Sequence, residues 1–150
     1  MAEFTYNPVQ LVEPNQNVIL NNSISCTKGY VFHRNESGIV ILRGIVNNSC
    51  NTFARYQVTF NGNIAVPEDG TAGPISISLA LDGEPLQTST AIVTPTVAGA
   101  YFNVTSPATI TVPKGCCFSL SVVNTSPSGT TTPAPAINVQ NANLVITRVA

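Results

Sequence analysis

The chain predicts an all-β protein, a jelly-roll β-sandwich of about 8–10 antiparallel strands with no substantial helix. Three observations carry that expectation. No window shows a sustained 3.6-residue apolar period. Ten glycines and 11 prolines punctuate the 150 residues from end to end. Short apolar runs recur at the close spacing of sandwiches and barrels.

Residues 1–15, with Pro8 and Pro14, read as an extended N-terminal arm, and 16–150 as a single jelly-roll domain. That length suits one core. Val18 to Ile24 and Tyr30 to Arg34 are the first strand candidates, and Ile39 to Val46 is a continuous apolar run around Arg43. From Arg55 to Ile64, Tyr56, Val58 and Phe60 share one face, and Arg55, Gln57 and Thr59 the other. Gly62 marks a bulge or bend in that strand. Ile75, Ile77, Leu79 and Leu81 alternate with Ser76, Ser78 and Ala80, a half-buried strand that ends at the turn dipeptide Asp82-Gly83. Thr90 to Thr94 and Tyr101 to Val104 are separated by Pro95 and Gly99. Thr109 to Val112 turns at Pro113-Lys114-Gly115, with Pro expected at the second turn position. Cys116, Phe118, Leu120 and Val122 share a face. Thr125 to Ala136 is a Ser/Thr/Pro loop, and Ala142 to Val149 is the last strand.

Charge is scarce. Asp, Glu, Lys and Arg make up 9% of the chain, against about a quarter in ordinary domains. Between Glu84 and Ala150 the only charged side chains are Lys114 and Arg148. Part of the surface is therefore expected not to face bulk water, and a net charge of −1 favours association. Six scattered basic residues supply no stripe for nucleic acid. The first residues carry no signal-peptide pattern, and no stretch reaches the ~20 apolar residues of a membrane helix. Synthesis in the cytoplasm without a signal peptide is the expectation, with a final place on a virion or a cell or spore surface.

The candidate chemical residues are thin. His33 is the only histidine, and no Gly-x-Ser-x-Gly elbow accompanies it. It reads as a strand histidine with a hydrogen-bond partner. Cys26, Cys50, Cys116 and Cys117 lack the paired spacing of a zinc site. They read as free, mostly buried thiols, with a Cys26–Cys50 disulfide or a metal site with His33 as alternatives. Cys116 and Cys117 point to opposite faces, so one can meet the core and the other a neighbouring subunit. Glu68, Asp69, Asp82 and Glu84 are weak Ca²⁺ candidates, since Ca²⁺ wants six to eight oxygens. No cofactor is expected. Asn-x-Ser/Thr triplets at Asn21, Asn35, Asn47, Asn103 and Asn124 read as turn and edge asparagines. Ser128, Gly129, Thr130, Thr131 and Thr132 form an exposed loop, inert or a glycan contact. Tyr56, Phe60 and Phe118 belong to the core. Tyr101 and Phe102 are strand neighbours, so one of them must leave the core and is expected at a subunit contact.

The order of the motifs carries a resemblance. Leu-Asp-Gly-Glu-Pro-Leu (81–86), Ile-Thr-Val-Pro-Lys-Gly-Cys-Cys-Phe-Ser-Leu (110–120), Asn-Thr-Ser (124–126) and Asn-Ala-Asn-Leu-Val-Ile-Thr-Arg-Val-Ala (141–150) follow one another over residues 54–150. This resembles the trimeric jelly rolls of the tumour-necrosis-factor and complement-head superfamily. It is most similar to the bacterial versions at the ends of spore-surface collagen-like proteins and to Firmicutes prophage domains. No Gly-X-Y collagen stalk accompanies the motifs here, which opens a virion or other appendage role. The resemblance implies a compact homotrimer packed along a threefold axis, with Tyr101, Phe102, Cys116 and Cys117 as interface candidates. The expected function is a non-enzymatic structural protein that builds or decorates a phage virion or similar particle. A module binding a glycan or host surface through loops at one end, and a spore-surface protein, are the alternatives.

Overall fold

The computed structural model describes residues 1–25, 29–34, 36–45, 50–130 and 132–149. Within them the regular structure is all strand apart from one short 3₁₀ turn at Gln87–Ser89. Twelve strands are present: β1 (Ala2–Tyr6), β2 (Gln10–Val12), β3 (Asn22–Ser25), β4 (Val31–His33), β5 (Val40–Arg43), β6 (Phe53–Ala65), β7 (Ile75–Leu81), β8 (Glu84–Pro85), β9 (Ala91–Val93), β10 (Phe102–Pro113), β11 (Cys117–Asn124) and β12 (Ile137–Arg148). They exceed the expected number because the extra pieces are two to five residues long, too short to show alternation.

Two antiparallel sheets face each other, as a jelly roll requires. The first has the order β10-β6-β12-β1-β3, with β2 also paired to β12. The second has the order β4-β5-β11-β7-β8, with β9 also paired to β7. The core forms where their alternating apolar residues meet. Tyr56, Val58, Phe60 and Ile64 come from β6, and Ile137, Leu144 and Ile146 from β12. Ile75, Ile77 and Leu79 of β7, with Leu120 and Val122 of β11, face them from the other sheet. Phe118 is half-buried against this core.

Residues 1–15, read as an arm, contribute β1 and β2 to the first sheet. Ala2 and Phe4 are buried there, with Phe4 opposite Leu144 of β12. β6 runs unbroken through Gly62 in its pairing with β10. The bulge lies instead in the facing strand, where β12 shifts register between Gln140 and Asn143 and Asn141 takes φ 54°. A side chain at Gly62 would press on the Phe60 ring at 3.0 Å and lie 3.7 Å from the Ala142 backbone. The glycine thus leaves room for the Phe60 ring rather than for a bulge of its own.

β10 spans two runs that read as separate in the sequence. It passes through Pro107, which an edge strand accommodates because its outward side has no ladder partner. Asp82 and Gly83, at φ 51° and 84°, form the two-residue hairpin joining β7 to β8. At the β10–β11 turn, Cys116 N–H donates to the Pro113 carbonyl at 3.1 Å. Pro113 is therefore the first turn residue rather than the second, and Gly115 holds the positive φ of 78° at the third.

Candidate functional site

The outer faces of the two sheets differ. On the first sheet, β10 turns out Asn103, Thr105, Pro107, Thr109 and Thr111, and β6 turns out Arg55, Gln57, Thr59, Asn61 and Asn63. Asn143, Val145 and Thr147 of β12 and Glu3 and Thr5 of β1 continue this face. Only Glu3 and Arg55 among these are charged. Glu3 accepts from Asn143 Nδ2 at 2.6 Å. The amides bond mainly to one another. Asn103 Nδ2 donates to Asn61 Oδ1 at 2.9 Å and to Asn63 Oδ1 at 3.0 Å, and Asn61 Nδ2 donates to Thr105 Oγ1 at 3.1 Å. Groups that already bond to each other lose less when water leaves them.

On the second sheet, the side of β7 away from the core is closed within the chain. Ser76, Ser78 and Ala80 are buried there. Ser78 Oγ lies 2.7 Å from Thr90 Oγ1 and 3.0 Å from Thr125 Oγ1, and Ser76 Oγ lies 3.0 Å from Thr125 Oγ1. Ser89 Oγ accepts from the Leu79 N–H at 3.0 Å, and Ser126 Oγ accepts from the Ser76 N–H at 3.0 Å. Small hydroxyl side chains here bridge strands.

The interface candidates fall at opposite ends of the sandwich. Tyr101 and Phe102 are both exposed, at 38% and 43%, beside the Ala65 end of β6. Neither enters the core, because β10 overruns it there. Cys116 and Cys117 lie beside the Phe53 end, where Lys114 N–H donates to the Thr52 carbonyl at 2.8 Å. The length of β6, 13 residues, separates the two pairs by roughly 40 Å.

The thiol expectation needs correction. Cys50, Cys116 and Cys117 are free and exposed. Cys116 sits in the turn rather than on the strand's inner face, and Cys117 opens β11 opposite the exposed Arg43. Cys26 lies outside the described residues. Nor do Glu68, Asp69, Asp82 and Glu84 converge. Glu68 and Asp69 lie in the loop before β7, and Asp82 and Glu84 lie beyond its far end. The Asp82 carboxylate accepts from Ser119 N–H at 2.9 Å and Ser119 Oγ at 3.1 Å, a structural brace for the hairpin. No group of three or more His, Cys, Asp or Glu among the described residues is placed to hold a metal.

His33 has its expected partner: Nε2 donates to the Ser37 carbonyl at 3.0 Å, and the ring packs 4.9 Å from Phe4. Asn35, Asn47 and Thr131 lie outside the described residues. Asn103 belongs to the amide ladder. Asn124 is buried, and its Nδ2 donates to the carbonyls of Val12 and Pro135, each at 3.0 Å. It pins two loops, a role no sequence signal marked. Tyr56 is buried with its hydroxyl donating to the Arg43 carbonyl and lying 3.3 Å from the Tyr30 carbonyl. Arg148 stacks 3.9 Å over the Tyr30 ring. Burial pushes the Tyr56 hydroxyl above the ordinary tyrosine range, with Arg148 drawing it down and Tyr30 adding a smaller push upward.

Ser128, Gly129 and Thr132 help wall a groove of about 420 Å³ at the Tyr101 end, completed mainly by Thr71 to Pro74 and Pro133 to Pro135. Its described lining holds no aromatic ring, amide or charged side chain. Thr130 lies exposed in the same loop. No helix among the described residues is long and apolar enough to cross a membrane.

This architecture defines the class: a jelly-roll β-sandwich. The globular domain of the zebrafish complement 1qA protein is a similar solved structure, 15% identical, with 99% of this chain and 97% of that one covered at a TM-score of 0.56. The C-terminal domain of EclA, a sugar-binding protein, is 14% identical, covering 95% of this chain and 79% of that one at a TM-score of 0.40. The CBM22-1 xylan-binding domain from Paenibacillus barcinonensis Xyn10C is 10% identical, covering 99% and 87% at 0.36. These last two superpose too loosely to bear on the chain. No protein-family model and no curated protein sequence matches it.

Proposed function

We propose that this protein is a non-enzymatic structural β-sandwich that assembles with copies of itself through the outer face of the β10-β6-β12-β1 sheet. The observation that carries the reading is that face: almost uncharged, partly hydrogen-bonded within itself, and left open by the described residues. The sequence resemblance supplies the stoichiometry, a homotrimer, and the setting, a phage virion or similar surface particle, with a spore surface second. Tyr101, exposed just before β10 begins, extends the contact, whereas Phe102 falls on the side of Val104.

Sedimentation under reducing conditions tests it. The expected particle has three times the 15.7 kDa chain mass. Val145→Asp, placed mid-face opposite Thr59 and Glu3, is expected to give a folded monomer. A wild-type monomer at high concentration, or a trimeric Val145→Asp, contradicts the proposal. The loop groove offers a glycan only hydroxyls and prolines, so the glycan-binding reading stands second.

A further inference from the structure

Free cysteine on a surface is not explained by packing, since the residue earns its usual place as a small buried apolar group. Cys50, Cys116 and Cys117 break that rule together, all exposed and all at the same end of the sandwich. Their backbones are tied to one framework. Gly44 N–H donates to the Cys116 carbonyl at 2.9 Å, Gly115 N–H to the Ile45 carbonyl at 3.1 Å, and Lys114 N–H to the Thr52 carbonyl at 2.8 Å. Cys117 is in register with Arg43. The turn carrying Cys116 is thus clamped between the end of β5 and the start of β6.

The adjacent pair is poorly placed to bridge itself. Consecutive Cα atoms are 3.8 Å apart across a trans bond, below the usual disulfide range of about 4.4–6.8 Å. No cis peptide bond is present among the described residues. Cys50, Cys116 and Cys117 are all free and exposed, which leaves them available to partners outside the chain.

We propose that this end of the sandwich is a multivalent site of disulfide formation with other copies of the same chain. The oxidant is a low-molecular-weight disulfide. A cysteine thiolate attacks it, releasing one small thiol and leaving a mixed disulfide on the protein. A cysteine thiolate of a second copy then attacks the protein sulfur of that bond, releasing the second small thiol. The sum is two protein thiols and one small disulfide giving one protein–protein disulfide and two small thiols. Both protons and both electrons end on the small thiols. With more than one exposed sulfur per chain, linkage continues beyond a dimer. It proceeds where the thiol balance is oxidising. The site lies roughly 40 Å from Tyr101 and Phe102, so covalent linkage leaves that end of the proposed self-association face free.

The test is non-reducing gel electrophoresis of the full chain after incubation with glutathione disulfide. The expected result is a ladder of dimers, trimers and larger species that dithiothreitol collapses to monomer. In a Cys26→Ser background, Cys116→Ser with Cys117→Ser is expected to remove the species above dimer, and the further change Cys50→Ser to remove the ladder. Val145→Asp keeps the ladder, which separates this inference from the non-covalent one. Three outcomes overturn it: monomer carrying only glutathione, a monomer with an internal bridge, or a ladder already lost in the Cys26→Ser background.

Discussion

Two serine- and threonine-rich sheet surfaces, each nearly free of charge, meet different fates in this molecule. On β7, Ser76 and Ser78 are buried by the chain itself, and their hydroxyls are spent on Thr90 and Thr125. On β10 and β6, Thr105, Thr109, Gln57 and Asn61 face outward and are exposed among the described residues. Scarce charge thus accompanies one surface that the chain covers itself and one for which we propose a cover from other copies. The amide ladder of Asn61, Asn63 and Asn103 ties part of the second surface together as the hydroxyl network ties the first.

Substitutions can break the comparison. The largest expected effect is Ser78→Asp, which buries a carboxylate among the hydroxyls of Thr90 and Thr125 and should cost on the order of 3–5 kcal/mol, enough to threaten folding. Thr109→Asp, equally charged but on the open face, is expected to stay within about 0.5 kcal/mol in a dilute denaturant titration while abolishing association. Equal losses at the two positions would erase the distinction.

Next in size is Asn124→Ala. It leaves the carbonyls of Val12 and Pro135 and the N–H of Ser126 without their partner, at about 2–3 kcal/mol by thermal or chemical melt. Asn61→Ala, on the exposed ladder, should cost only about 0.5 kcal/mol by the same measurement.

The smallest effect is pH-dependent. Because the folded-state pKa of Tyr56 lies above the unfolded value near 10, its neutral form contributes stability in full below about pH 10. That contribution is lost as pH rises through the folded value. Melting midpoints followed from pH 8 to 11 should fall more steeply for the wild type than for Tyr56→Phe.

Much of this was legible in the sequence. Alternation in 55–64 placed the inner and outer faces of β6, and Asp82-Gly83 named its own turn; in 75–81 it found the core side of β7 but not that Ser76, Ser78 and Ala80 are buried too, so the strand is not half-buried as its pattern suggested. What alternation does not encode is pairing. Ala2 and Phe4 enter the sheet only because β12 offers an open ladder, and the Gly62 irregularity belongs to the strand opposite. The thiols misled for a related reason: the period continues through Cys116, but the turn geometry lifts it out of the core. Asn124 reads as a turn asparagine, and its oxygen does accept from the nearby Ser126 N–H; what the sequence hides is its amide's bonds to Val12 and Pro135. The uncharged stretch from Glu84 onward was visible at once, but only the register divides it into a sealed part and an open one.

The central claim is that copies of the chain cover the outer β10-β6-β12-β1 face. Hydroxyl-radical footprinting in reducing buffer addresses it most directly, following Val145 and Pro107 from dilute to concentrated solution. The account expects oxidation at both positions to fall with concentration while Pro127 and Pro133, at the loop end, label unchanged. Constant labelling of Val145 and Pro107 across that range would contradict it.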